Sequence, residues 1–219
     1  MSKSSNNYCR FYLVRHGQTE WNVKKIMQGH QDSPLTQRGR EQARMTNQLL
    51  QKINFDHVFS SDLMRAHQTA KIMAADRDLA VKTSKLLRET YLGPFEGKRY
   101  QFFHQQLKKS LEYRQSLPVE ERLAYQVHPE CETSEQTATR LLTFMRETAV
   151  GYPNKKVLVV SHSGTIRAAL IKLGFARFDE IDHGAVKNTG YAVIDSDGVD
   201  FFVRETYGIE VNRKTQSKN

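Results

Sequence analysis

Three short stretches of the chain concentrate side chains that can do chemistry: Arg15-His16-Gly17, Ser60-Ser61-Asp62 with Arg65 three residues on, and Ser161-His162-Ser163-Gly164. Two imidazoles and two guanidinium groups around one point suit phosphoryl transfer. Arginines neutralise the equatorial oxygens as charge moves in the transition state. A neutral imidazole nitrogen can attack phosphorus in line, and neighbouring cations keep it neutral by disfavouring a second positive charge. Arg65 carries a further signal. It falls in the first turn of an expected helix, where a cation opposes the helix dipole by about 0.3–1 kcal/mol. That placement gains if an anion binds there, because free N–H groups at a helix start already favour phosphate. A metal could do the same charge work, but the chain has no H-E-x-x-H, no carboxylate triplet and no cysteine cluster. Cys9 and Cys131 lie far apart and read as two reduced thiols. We therefore expect neither a metal nor a cofactor.

The elements that must position these groups are legible from apolar runs. Phe11 to Val14, His57 to Phe59 and Val157 to Val160 are short and β-rich, and each ends where a reactive stretch begins. Helix-like segments follow them, which argues for an α/β fold with a mainly parallel sheet. In such sheets ligands bind outside the carboxyl ends of the strands. Tyr191 to Asp195 and Val199 to Arg204 flank Ser196-Asp197-Gly198 and read as an antiparallel hairpin at or near the sheet's end. Thr36 is the expected cap of a helix reaching about Ile53, and Asp62 that of Leu63 to about Asp76. Thr133 with Gln136 forms a capping-box pattern, and Ser163 is the expected cap of a helix through Leu173. Leu141, Phe144, Met145 and Thr148 recur at helical spacing, as a core-facing stripe does. Lys98 to about Glu130 is polar and aromatic and reads as an inserted helical lid. Asn212 to Asn219 reads as a disordered basic tail.

The run Leu13-Val14-Arg15-His16-Gly17-Gln18-Thr19-Glu20-Trp21-Asn22 resembles the signature of the histidine phosphatase superfamily, on its phosphoglycerate mutase-like branch. The family's order continues through Gln28-Gly29, Asp32 to Thr36, Ser60 to Arg65, Leu87-Arg88-Glu89, Gly93 to Gly97, Val160 to Gly164 and Asn188-Thr189-Gly190. The resemblance implies roles. His16 is the nucleophile and becomes phosphohistidine, and Arg15, Arg65 and His162 clamp the phosphoryl oxygens. Asn22, the backbone near Gly17 and Ser163 add phosphate contacts, and Gln28 and Gly29 line the substrate side. Glu89 gives a proton to the leaving oxygen and takes one from water. Together the elements and the resemblance imply a three-layer α/β/α fold over residues 1–212, with a mainly parallel central sheet and the lid inserted at 98–130.

Within that family the chain reads as a phosphatase more than a mutase. Family mutases carry two adjacent arginines in the insert; this one has Tyr113-Arg114-Gln115 and a lone Pro118. It also departs from the family's Gly-Gly-Glu-Ser with Glu130-Cys131-Glu132-Thr133, although Glu132 and Arg140 keep their spacing. The net charge of +9 is compatible with a nucleic-acid partner or a small anionic ligand. Basic residues are spread along the chain rather than clustered, so the expected partner is a small phosphorylated metabolite and not nucleic acid. A non-catalytic, regulatory or nucleic-acid-binding protein is the alternative of another class. With mean hydropathy −0.64 and no apolar signal core at Met1 to Asn7, the chain is expected off membranes, in the cytoplasm, as a monomer or homodimer.

Overall fold

A computed structural model of the chain describes residues 8–213. Six strands form one sheet in the order β3-β2-β4-β1-β5-β6. They are β1 (Cys9–Arg15), β2 (His57–Ser61), β3 (Val81–Ser84), β4 (Lys156–Ser161), β5 (Val186–Ser196) and β6 (Phe201–Ile209). The three reactive strands are therefore parallel neighbours. Their register is level at the carboxyl end, with Arg15 beside Ser161 and Ser60 beside Val160. β5 and β6 are both antiparallel additions, joined at the expected turn, where the Asp197 carboxylate accepts the N–H groups of Val199 and Asp200.

Side-chain alternation along the central strands makes the layers. Phe11 and Leu13 of β1 and Val157 and Val159 of β4 enter one core with Leu141, Met145, Ile166 and Leu170. Tyr12, Val14, Leu158 and Val160 enter the other, with Ala43, Ala66, Ala70 and Met73. The first core lies under α6 (Ser134–Gly151) and α7 (Ser163–Lys172), and the second under α2 (Gln37–Leu49) and α3 (Met64–Ala74). Both faces of β1 and β4 are covered, which explains why these strands read as unbroken apolar runs. The short helix α1 (Glu20–Lys24) follows β1. The insert forms α4 (Tyr100–Gln106) and α5 (Lys108–Ser116), then irregular turns up to Thr133. It packs on a small core of its own from Phe95, Phe103, Leu107, Leu111 and Cys131.

Thr36 caps α2 and Thr133 caps α6 with a reciprocal Gln136 bond, as the sequence predicts. Two other caps differ. Asp62 does not cap α3; its carboxylate takes the Arg88 guanidinium at 2.8 and 2.6 Å, and Leu63 occupies the cap position with no side-chain bond. Ser163 is the first residue of α7 rather than its cap, which is His162. Both helix starts are filled instead by distant carboxylates at the site. Of the expected disordered tail, Asn212 is instead tied down, its N–H donating to Glu180 O at 2.7 Å, Arg213 lies over the Phe175 ring at 5.8 Å, and residues 214–219 fall outside the described residues.

Candidate active site

β1 delivers Arg15 and, one residue on, His16; β2 leads into Arg65; β4 leads into His162. His16 is buried, and its Nδ1 lies 2.7 Å from the Gly17 carbonyl oxygen. A carbonyl only accepts, so the ring proton sits on Nδ1 and Nε2 keeps its lone pair. The His162 ring packs edge-on against His16 with centroids 5.2 Å apart, fully buried, and neither of its nitrogens has a hydrogen-bond partner. The backbone fixes His16 from both sides: His16 N donates to Ser161 O, and the Asn188 amide donates to His16 O at 3.1 Å.

Arg65 is completely buried. It donates to the carbonyls of Gln31 and Gly29 at 2.7 and 2.8 Å and to the Asp32 carboxylate at 2.9 Å, leaving Nε without a partner. Arg15 donates Nη1 to Val186 O at 2.6 Å and likewise leaves Nε bare. An unmatched buried donor costs about 1–3 kcal/mol. Here such atoms come from three adjacent strand ends around one imidazole, the hydrogen-bonding profile of a site built for an oxyanion. The electrostatics agree. Burial first, then the charges of Arg65 and Arg15, hold His16 well below the usual imidazole value of 6.5. Burial, then Arg65 and His16, do the same to His162. Burial pushes Arg15 down to about 10.

These depressed imidazoles set a stability prediction. A histidine whose folded pKa lies below its unfolded value near 6.5 binds fewer protons when native. Its contribution is intact above that value and declines as pH falls beneath it. We expect the melting temperature to fall between about pH 7 and pH 5, and to fall less steeply in His162→Gln. Parallel curves in circular dichroism would contradict this origin.

Asp32 links the Arg65 end of the site to the fold. Its carboxylate accepts from the N–H groups of Met64 and Arg65 and pairs with the Arg65 side chain, so it is the cap that α3 lacks locally. Glu89 does the same for α7. It accepts from the N–H groups of Gly164 and Thr165 at 3.1 Å each, from Thr90 N at 2.9 Å and from the Thr165 hydroxyl at 3.2 Å. A Cβ on Gly164 would lie 2.6 Å from the Glu89 carboxylate, so a glycine is required for this approach. The backbone beneath Glu89 is clamped: Arg140, in a bidentate pair with Glu132, and His30 both donate to the Glu89 carbonyl.

The remaining expected residues fall around one cavity of about 640 Å³, which His16, Arg15, Arg65 and Glu89 also line. Asn22, Gln28, Gly29 and Ser163 all reach its wall. Asn22 uses Oδ1 to cap α1 at Thr19 N, and Gln28 accepts from the Ser33 hydroxyl. Gly29 has φ +52°, and a Cβ there would meet the Glu96 carboxylate at 2.0 Å. Gly17 donates its N–H to the Thr69 hydroxyl at 3.0 Å, and its carbonyl orients the His16 ring. A Cβ on Gly17 would stand 2.4 Å from the Gly39 carbonyl oxygen, which makes the close turn a glycine requirement. Among the described residues, no group of three His, Cys, Asp or Glu side chains is placed to hold a metal, and no helix is long and apolar enough to cross a membrane.

Residues 11–207 match the model of the histidine phosphatase superfamily (branch 1). A broad-specificity phosphatase of Saccharomyces cerevisiae is 34% identical over 213 residues, covering 91% of this chain and 85% of that protein. Phosphoglycerate mutase-like protein 4 of Arabidopsis thaliana is 33% identical over 164 residues, 74% of this chain and 70% of that one. Among solved structures, YhfR of Bacillus stearothermophilus superposes with a TM-score of 0.78 at 27% identity, covering 89% of this chain and 95% of that one. With a matched region that holds all three reactive strands and the site at their ends, the chain belongs to the histidine phosphatase superfamily, whose members carry out phosphatase or mutase-type phosphoryl transfer.

Proposed function

We propose that this protein is a phosphatase that hydrolyses a small phosphorylated metabolite through a phosphohistidine on His16, without a metal or cofactor. The observation that carries the reading is the bare Nε2 of His16, fixed by Gly17 O, among the unpartnered donors of Arg15, Arg65 and His162. In the first half, Nε2 bonds to phosphorus as the ester P–O bond breaks, and Glu89 gives its proton to the departing oxygen. In the second, water attacks phosphorus, Glu89 takes the water's proton, and the P–N bond breaks to free His16. Arg15, Arg65 and His162 hold the phosphoryl oxygens throughout. Glu89 suits its part because donors on two segments fix its orientation beside the cavity.

Hydrolysis rather than isomerisation is favoured by the insert, where Arg114 stands between Tyr113 and Gln115 without an adjacent arginine. Turnover of small phosphate esters with and without 2,3-bisphosphoglycerate tests the choice. Release of inorganic phosphate independent of that compound is expected; isomerisation that requires it would make the protein a mutase. The proton role is separately testable. Glu89→Gln should slow alkyl phosphates by about 10²–10⁴-fold and aryl phosphates far less, because a phenolate leaves without a proton. Equal losses on both would remove Glu89 from that role.

A further inference from the structure

Arg65 and Glu89 are both gripped by one short loop, Gly29-His30-Gln31, and a buried carboxylate outside the cavity wall holds that loop. The loop's carbonyls at Gly29 and Gln31 receive the Arg65 guanidinium at 2.8 and 2.7 Å. Its His30 ring donates from Nε2 to the Glu89 carbonyl at 2.9 Å. Its N–H groups at His30 and Gln31 donate to the Glu96 carboxylate at 2.8 and 3.2 Å, and Leu92 N adds a further donor at 3.0 Å. Glu96 is buried, yet it does not line the cavity. A buried carboxylate needs donors in place of its lost water, and main-chain N–H groups from two segments supply them. The peptide group joining Gly29 to His30 makes the link to Arg65 direct. It is trans, so its C=O and N–H point opposite ways. The C=O meets the Arg65 guanidinium and the N–H meets the Glu96 carboxylate. One planar dipole thus spans a cation and an anion in the orientation both favour, and each bond strengthens the other. The packing leaves little slack, since a Cβ on Gly29 would stand 2.0 Å from the Glu96 carboxylate. A displaced Glu96 therefore turns this peptide and withdraws its carbonyl from Arg65.

We propose that Glu96 is a positioning residue for the reaction: through the 29–31 loop it fixes Arg65 for the phosphoryl oxygens and, through the His30 ring, Glu89 for the proton. One carboxylate thereby sets the spacing between the anion clamp and the proton carrier. Glu96 also stands at the root of the insert, where Gly97 N donates to Met27 O and Met27 N donates to Lys98 O. The anchorage of the lid and the spacing of the site thus share one residue. The Arg65 half of this inference rests on the anion site alone, and the Glu89 half rests on the phosphatase reading.

The test uses Glu96→Gln, which keeps the size of the side chain but turns an NH2 group toward backbone N–H donors. Two quantities are read at a temperature where circular dichroism shows each variant folded. Calorimetric titration with vanadate reports on Arg65, and the ratio of kcat on alkyl over aryl phosphates reports on Glu89. Glu96→Gln should weaken vanadate binding by about 3–30-fold and lower the ratio by a similar factor, the range for a residue that acts through others. His30→Phe leaves the main chain free to bond Glu96, so it should lower the ratio and leave vanadate binding unchanged. In the double variant the ratio should fall no further than in His30→Phe alone, because both changes act through the same ring. Glu96→Asp keeps the charge on a shorter arm. It should show smaller losses of both quantities, and it decides the matter if Glu96→Gln does not fold. Vanadate affinity unchanged in the folded Glu96 variants would make Glu96 a brace of the fold only and overturn the proposal, as would additive losses in the double variant. Absence of any hydrolysis would overturn the phosphatase reading instead, and the vanadate titrations still decide the Arg65 half.

Discussion

His16→Ala should reduce the hydrolysis of any phosphate ester by roughly 10⁴–10⁶-fold, the loss that follows when a covalent nucleophile is removed. The size follows from what remains. Arg15, Arg65 and His162 would still bind the phosphoryl group, because their backbone anchors at Val186, Gln31, Gly29 and the strand ends do not pass through His16. Phosphate affinity should therefore change far less than rate. The fold should survive, since the His16 side chain makes one fixed hydrogen bond, to the neighbouring Gly17 carbonyl. Three measurements separate the possibilities: kcat on a series of esters, inhibition by vanadate, and labelling with ³²P-substrate quenched in alkaline detergent. The wild-type chain should retain an acid-labile label and the variant none. A variant that keeps a large fraction of its rate would mean that water attacks phosphorus directly and that His16 is only a phosphate ligand.

Much of this site is legible in the sequence because its reactive residues follow buried strands. A strand covered on both faces is an unbroken apolar run, and Arg15-His16, Ser60-Ser61 and Ser161-His162 stand at the visible ends of such runs. β3 escapes the same reading because its four residues, Val81 to Ser84, are exposed or half-exposed and have no apolar signature. The misassigned caps share a cause. Asp62 and Ser163 satisfy the local rule for a helix start, but the cap atoms come from Asp32 and Glu89, 32 and 75 residues away in sequence from the N–H groups they receive. A local pattern cannot see a carboxylate supplied by another loop. That same distance is functionally informative: Glu89 lines the cavity and Asp32 holds Arg65, which lines it, so anchoring each helix and orienting the site are one act. Asn188 and Arg140, which fix the backbone of His16 and of Glu89, are likewise ordinary polar residues until the tertiary structure brings them there.

Arg65 is where these two tasks meet, and Arg65→Ala should therefore show two effects at once. One is electrostatic. A guanidinium that is 0% exposed stands beside His16 and, after burial, does most to lower its pKa, so on the proposed mechanism its loss removes charge from bound phosphate and from the transition state alike. Rate should fall by about 10²–10³-fold, and affinity for vanadate or inorganic phosphate should fall with it. The other is structural. The carbonyls of Gln31 and Gly29 lose their partner and the Asp32 carboxylate keeps only its backbone N–H donors; two carbonyls without donors, at about 1–3 kcal/mol each, and a lost ion pair lower stability by several kcal/mol. Arg65→Lys discriminates between them. A lysine restores the charge but is a point donor, unable to bridge two carbonyls and a carboxylate while offering a further N–H to the phosphoryl group. It should recover part of the phosphate affinity and little of the melting temperature. If Arg65→Ala instead left vanadate inhibition unchanged while destabilising the fold, Arg65 would be a buried brace for the 29–32 loop and the anion site would have to rest on Arg15 and His162 alone.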